Sequence, residues 1–310
     1  MQKKRGMALL AGALALALAG CGAATQSTDS SKVKVAVSFY GLEEWTKIVG
    51  GDRVQVTNLV PPGVEPHEWE PNPSELKTLE QAKAFFYVGA GYEHWVDQTL
   101  TAIGKKDLVA VEASHGFALL ESGAHEGETG HDHGGLDPHI WLDPQGAIQM
   151  VKAVRDGLIQ ADPAGKAIYT TNAEAYMAKV EGLDQKFAAG LKSCKSDEIF
   201  VTHEAYGYLA HRYNLHQHAV LGLSPETEPD PKTLAELIKV AKAEGVKVIF
   251  TETVASNKLT EVLAKEVGAR TLTLHTFENL TDDERKAGAD YIKVMEQNLA
   301  NLKQGLECGN

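Results

Sequence analysis

The chain has 310 residues, of which 43% are hydrophobic and 23% charged, with a formal net charge of −12. An acidic balance of this size excludes a protein that binds nucleic acid through a basic face, and it suits the collection of cations. About 280 residues follow the N-terminal 31, more than one ordinary domain of ~150 residues holds, so two lobes are expected.

Lys3, Lys4 and Arg5 precede an apolar stretch over residues 7–19 that is all Ala, Leu and Gly apart from Met7. The run is shorter than the ~20 apolar residues a membrane-spanning helix needs. A basic start, a short apolar stretch and small residues at its end read as a secretory signal over residues 1–20. Its end, Leu18-Ala19-Gly20-Cys21, resembles the lipobox of bacterial lipoproteins. That resemblance implies cleavage before Cys21, acylation of Cys21, and an extracytoplasmic protein anchored to the cell membrane without crossing it. Loss of Lys3, Lys4 and Arg5 leaves the remainder more acidic still. Residues 21–32 then read as a flexible tether, rich in Gly, Ala, Ser and Thr.

From residue 33 onward, strand-like and helical patterns alternate. Strands are expected at 33–39, 53–60, 84–88 and 108–111, with helices at 42–49, 74–81 and 93–103. Residues 145–192 carry no strand signal. Asp162-Pro163 ends one helix there and starts a second, long one over 163–192. Strands follow at 198–202, 216–221, 246–251 and 271–274. Asp230-Pro231 fits an N-cap with Pro at the first helical position, and Thr281 with Glu284 fits a capping box ahead of the C-terminal helix. Repetition of strand and helix means an α/β fold with parallel sheets flanked by helices. The expected organisation is an N-terminal lobe over 33–162, a rigid connecting helix over 163–192 and a C-terminal lobe over 193–310.

Twelve histidines are present. His94, His115, His211, His216 and His218 have no partner at ligand spacing and read as structural or surface residues. His67 differs, because five prolines within residues 61–73 hold its loop before any ligand arrives. His139 is clamped between Pro138 and Pro144. His203 directly follows one expected strand, and Glu278 follows another after a short turn. His67, His203 and Glu278 thus lie just past C-terminal strand ends, the edge where open parallel sheets bind ligands. Three imidazoles and one carboxylate suit Zn²⁺ in a tetrahedron, whereas Mn²⁺ prefers more oxygen. A separate tract, residues 125–135, holds His125, His131 and His133 among Gly, Glu, Asp and Thr, within a loop over 115–138. It has nothing to pack with, and reads as a mobile, weak metal collector.

After Cys21, two cysteines remain for a compartment in which disulfides persist. They allow a single intramolecular bridge, Cys194–Cys308, provided their Cβ atoms meet.

The segments Glu65-Pro66-His67-Glu68-Trp69-Glu70-Pro71, residues 137–144, residues 202–208 and Gly222-Leu223-Ser224-Pro225-Glu226-Thr227-Glu228-Pro229 occur in order. Together they resemble the TroA-like family, the metal-specific solute-binding proteins of ABC importers, and within it the zinc branch of ZnuA/AdcA type. The resemblance spans residues 33–303. It implies two α/β lobes joined by one long helix, a Zn²⁺ ion as transported ligand between them, and an ABC permease as partner for a monomeric protein. It also implies His67, His139 and His203 as ligands. The fourth ligand departs from many relatives, which carry Asp where His275 stands. Glu278 matches the acidic ligand of the Gram-positive zinc branch, with His275 the alternative.

Three further readings compete. A surface zinc hydrolase would need an open ligand position and a base such as Glu204 or Glu68, but no H-E-x-x-H motif is present. A second reading keeps the family and changes the cargo to Mn²⁺ or Fe²⁺, and a third makes the chain an adhesin that binds metal.

Overall fold

The computed structural model describes residues 32–121, 135–226 and 231–309. The signal, Cys21, His125, His131, His133 and the Asp230 cap lie outside the described residues. The N-terminal half runs β1 (Val33–Val37), α1 (Tyr40–Gly50), β2 (Val54–Asn58), α2 (Pro73–Gln81), β3 (Ala84–Tyr87), α3 (Val96–Ile103) and β4 (Val109–Glu112). Its four strands form one parallel sheet in the order β2-β1-β3-β4. Helices on the faces bury Val35, Val37, Phe85 and Phe86, which explains the near-continuous apolar runs of β1 and β3. Helix α3 starts at Val96, later than the pattern suggests. Glu93 turns back there to accept hydrogen bonds from the backbone N–H groups of Val88 (2.8 Å) and Gly89 (2.9 Å), and so stays outside the helix.

Two helices follow, α4 (Pro144–Ala161) and α5 (Lys166–Gly190), separated by a 3-10 turn at Pro163–Gly165. Helix α5 has 25 residues and is therefore roughly 38 Å long. Its buried apolar positions, Tyr169, Ala173, Tyr176, Val180, Leu183 and Phe187, alternate in steps of four and three. That is the narrow seam of a helix that packs along its whole length, here against α1, α4 and later the last helix.

The C-terminal half contains β5 (Glu198–Val201), α6 (Gly207–Tyr213), β6 (His216–Ala219), α7 (Pro231–Ala243), β7 (Val248–Thr251), α8 (Lys258–Val267), β8 (Arg270–Thr273), α9 (Asp282–Lys286) and α10 (Tyr291–Gly305). Strands β5 and β6 form one parallel pair, β7 and β8 another, and β5 packs beside β7. The fold is α/β, with parallel sheets flanked by helices. The Thr281–Glu284 capping box opens α9, which is only five residues long, and not the C-terminal helix. Gly288, at φ +71°, breaks the chain between them, and Asp290 caps α10 instead. Cys194 and Cys308 form a disulfide that joins the segment after α5 to the C-terminal end, 114 positions apart. No helix among the described residues is long and apolar enough to cross a membrane.

One buried cluster runs from Val35 in β1 through Trp141 and α5 to Leu306 beyond α10. Polar bonds across the two halves reinforce it. Trp141 Nε1 donates to the Thr276 carbonyl (2.7 Å), and Tyr291 Oη donates to the Trp141 carbonyl (2.6 Å).

Candidate metal centre

His67 lies in the proline-rich loop after β2. Its backbone N–H donates to both oxygens of Glu65 (3.0 and 3.1 Å). Asn279 Nδ2 donates to the carbonyls of Pro61 (2.7 Å) and Val64 (2.9 Å), and the Gly63 N–H donates to the Leu280 carbonyl (3.1 Å). The segment that carries Glu278 therefore grips the loop that carries His67.

His139 precedes a 3-10 turn at Ile140–Leu142, which α4 abuts so closely that a Cβ on Gly146 would lie 1.9 Å from the Ile140 carbonyl oxygen. Gly146 is thus required where the turn holding His139 meets the helix. Asp137 Oδ1 accepts from the His139 backbone N–H (2.9 Å) and from ring Nδ1–H (2.8 Å). His203 comes two residues after β5, and Glu252, the first residue after β7, holds it in the same way. Glu252 Oε1 accepts from the His203 backbone N–H (3.2 Å) and ring Nδ1–H (2.7 Å). In both rings this commits Nδ1 to the carboxylate and directs Nε2 inward, where its lone pair is free for a metal once no proton sits on it.

Glu278 follows Phe277, a buried aromatic residue at φ +59°. The left-handed conformation costs an L residue on the order of 1–2 kcal/mol. Packing of the Phe277 ring against Tyr40 (centroids 5.2 Å apart) and Tyr291 (5.3 Å) opposes that strain. The kink sends the Glu278 side chain inward, where Thr276 Oγ1 donates to its Oε2 (2.9 Å). Its Oε1 lies 3.0 Å from His67 Nε2, 3.3 Å from His139 Nε2 and 3.6 Å from His203 Nε2, while the His67 and His139 Nε2 atoms are 3.2 Å apart. A tetrahedron with arms of ~2.0–2.1 Å, the usual zinc–imidazole length, has edges of about 3.3–3.4 Å. These four separations, 3.0–3.6 Å, bracket that spacing, and all four donor atoms lie within 4.8 Å of one another. All four side chains are buried, with exposures of 0–4%, and Tyr92 and Trp141 wall the rings at centroid distances of 4.5 Å from His67 and 5.3 Å from His139.

Electrostatics match the geometry. Burial pushes the His67 imidazole down to about 4, so it is neutral at physiological pH. Burial also opposes a charge on His139 and His203, but Asp137, Glu252 and Glu278 outweigh it and raise both, His203 well above the ordinary value. Burial likewise opposes the Glu278 charge, yet hydrogen bonds from the three imidazoles and the charge on His203 hold its carboxyl well below the usual range. A full negative charge on Glu278 thus faces three inward Nε2 atoms in a water-poor pocket, and a dication that replaces the protons held there fits that environment.

His275 does not join this group. Its Nδ1 accepts from the Phe277 N–H (2.8 Å) and its Nε2 faces Glu284 Oε1 at 3.4 Å, so the ring supports the turn and points toward α9. His115 and His211 are exposed, and His94 pairs with Glu70 at 3.2 Å. The reading of His216 and His218 as lacking partners is corrected by the parallel register of β5 and β6, which places Glu198 against both rings. Asp137 and Glu252 were not singled out by sequence reasoning. Glu252 did carry a signal, since it too stands just past the C-terminal end of a strand.

Comparison with known proteins bears on this geometry. The family described as "Zinc-uptake complex component A periplasmic" (ZnuA) matches residues 35–305. The chain is 38% identical over 300 residues to the high-affinity zinc uptake system protein ZnuA of Bacillus subtilis, covering 94% of each. It is 39% identical over 302 residues to the zinc-binding lipoprotein AdcA of Streptococcus pneumoniae, covering 96% of this chain but 60% of that longer protein. Among solved structures, the Zn(II)-bound ZnuA-like domain of S. pneumoniae AdcA superposes with a TM-score of 0.76 at 38% identity, covering 89% of this chain and 99% of that one. A laminin-binding protein of Streptococcus agalactiae, described as bifunctional with adhesin and metal transporting activity, gives a TM-score of 0.78 at 29% identity, covering 88% of this chain and 99% of that one. By sequence coverage and shared architecture, the chain belongs to the ZnuA family of zinc-uptake components.

Proposed function

We propose that this protein captures Zn²⁺ outside the cytoplasm and delivers it to an ABC-type importer. The observation that carries the reading is the placement of His67, His139 and His203 Nε2 and Glu278 Oε1 at tetrahedral spacing within 4.8 Å of one another. With Glu278 in the fourth position, no corner is left open for an activated water, which favours capture over catalysis. A set of three nitrogens and one oxygen favours Zn²⁺ over Mn²⁺ as cargo.

Acylation at Cys21 would keep the protein at the membrane beside its permease and raise its effective concentration there. We assign residues 33–162 and 193–310 to two lobes that bracket the cargo, with the helix over 163–192 as a stiff connection. The tract holding His125, His131 and His133 is assigned a weaker collecting role. Its flanks meet where Glu121 bridges Leu136 and the Tyr208 hydroxyl donates to the Asp137 carbonyl (2.6 Å), next to His139.

Titration of the metal-stripped protein with Zn²⁺ and Mn²⁺ under chelator competition tests the capture step. One tight zinc per chain, held much more weakly in His203→Ala, is expected; preference for manganese would overturn the cargo. Zinc-limited growth of cells producing Cys21→Ala or His139→Ala in place of the native chain tests delivery. Undiminished growth with His139→Ala would refute it.

A further inference from the structure

A second group of metal-capable side chains stands on the other rim of the C-terminal half. In the parallel register of β5 and β6, Glu198 lies opposite His216 and Phe200 opposite His218. Side chains two apart on a strand share a face, so His216, His218 and Glu198 project together. The Glu198 carboxylate divides between the rings, with Oε1 at 3.0 Å from His216 Nδ1 and Oε2 at 2.5 Å from His218 Nε2. Asp197 brings its Oδ2 to 3.9 Å from the same His216 Nδ1, and its carbonyl accepts from the His216 backbone N–H (2.8 Å). The His218 ring is further fixed by stacking on the buried Phe200 ring, with centroids 4.5 Å apart and planes inclined by 19°.

We infer that Asp197, Glu198 and His216 form a second, solvent-accessible site for a divalent transition metal, with the His218 ring holding the Glu198 carboxylate in place. One donor atom from each of the three lies within 4.8 Å of the others. An imidazole nitrogen with two carboxylates suits Zn²⁺, Ni²⁺ or Cu²⁺ and disfavours Mg²⁺ or Ca²⁺, which take oxygen throughout. The two carboxylates bring two negative charges, which a dication neutralises. The site is separate from the buried centre: Glu198 opens β5 and His203 lies beyond its end, five residues of extended chain or about 16 Å away. His216 and Asp197 are 66% and 58% exposed, so water completes the coordination and exchange is rapid. The site is therefore weaker than the buried centre, whose four donors are preset.

The test uses the full chain with its buried centre already filled by one equivalent of Zn²⁺. Further Zn²⁺ is added, with equilibrium dialysis counting ions and histidine side-chain NMR following the ring nitrogens. The ring resonances of His216 are expected to shift, including in the His125→Asn/His131→Asn/His133→Asn variant. His216→Asn should bind the added ion about tenfold or more weakly while keeping the first zinc and its melting temperature. Asp197→Asn, at an exposed position, carries the same direction of effect should that variant fold poorly. Unmoved His216 resonances, or unchanged weak binding in these variants, would overturn the inference.

Discussion

Glu252 accepts two hydrogen bonds from His203, one from the backbone N–H and one from the ring, so a single carboxylate sets both the position and the tautomer of that imidazole. Both bonds end on His203, so the influence of Glu252 on the metal passes through that ring. Replacing such an orienting group costs ~10–100-fold in metal affinity in other metal sites. Glu252→Ala should weaken zinc binding within that range and leave one ion per chain. Chelator competition measures the loss, and an unchanged affinity would show that packing alone orients His203.

Glu278 and His275 are three residues apart, and the structure separates their roles. Glu278→Ala removes a donor and the charge facing three imidazoles, and should cost more than the ~100-fold upper end of an orienting change. His275→Ala removes the acceptor of the Phe277 N–H and should lower the melting temperature while leaving zinc affinity within a few-fold. Paired melting and competition experiments on the two variants distinguish them. A larger affinity loss in His275→Ala would reverse the assignment.

Zinc and protons compete for the same lone pairs. In the metal-free protein His203 holds a proton well above the ordinary imidazole range, so Zn²⁺ must displace it. Affinity is expected to rise with pH from the ordinary imidazole value of about 6.5 upward, with proton release on binding at neutral pH. Calorimetry in buffers of different ionisation enthalpy reads that release, and its absence would contradict the described charge state.

Glu44 joins α1 to α5 and α10. Its Oε1 accepts from the Tyr176 hydroxyl (3.0 Å) and its Oε2 from the Tyr291 N–H (3.1 Å). Burial pushes its carboxyl up to about 7 from 4.5. A carboxyl raised on folding contributes stability in its protonated form, present in full below about pH 4.5 and lost as pH rises through about 7. That contribution is at most about 3 kcal/mol. Glu44→Gln should flatten this part of the stability–pH curve and gain on the native chain above pH 7. Denaturant unfolding between pH 5 and pH 8 checks the difference, and parallel curves would refute it.

The sequence exposed the donors more readily than what holds them. His67 and His139 were visible because prolines flank them, and α5 because residues 145–192 carry no strand signal and Asp162-Pro163 marks a helix start. Glu252 escaped because it lies 49 positions from His203 and only the packing of β5 beside β7 brings them together. Glu198 escaped for a related reason, since its pairing with His216 and His218 depends on strand register, which no local pattern encodes. The Thr281–Glu284 box was legible as a helix start, but the break that limits that helix to five residues rests on the backbone angle of Gly288, which no periodicity reveals.

X-ray absorption at the zinc edge of the one-to-one complex tests the buried centre most directly. A four-coordinate ion is expected, with nitrogen and oxygen neighbours at ~2.0–2.1 Å and multiple-scattering features of three imidazoles, reduced to two in His203→Ala. A six-coordinate, oxygen-dominated ion, or a spectrum unchanged by His203→Ala, would contradict it.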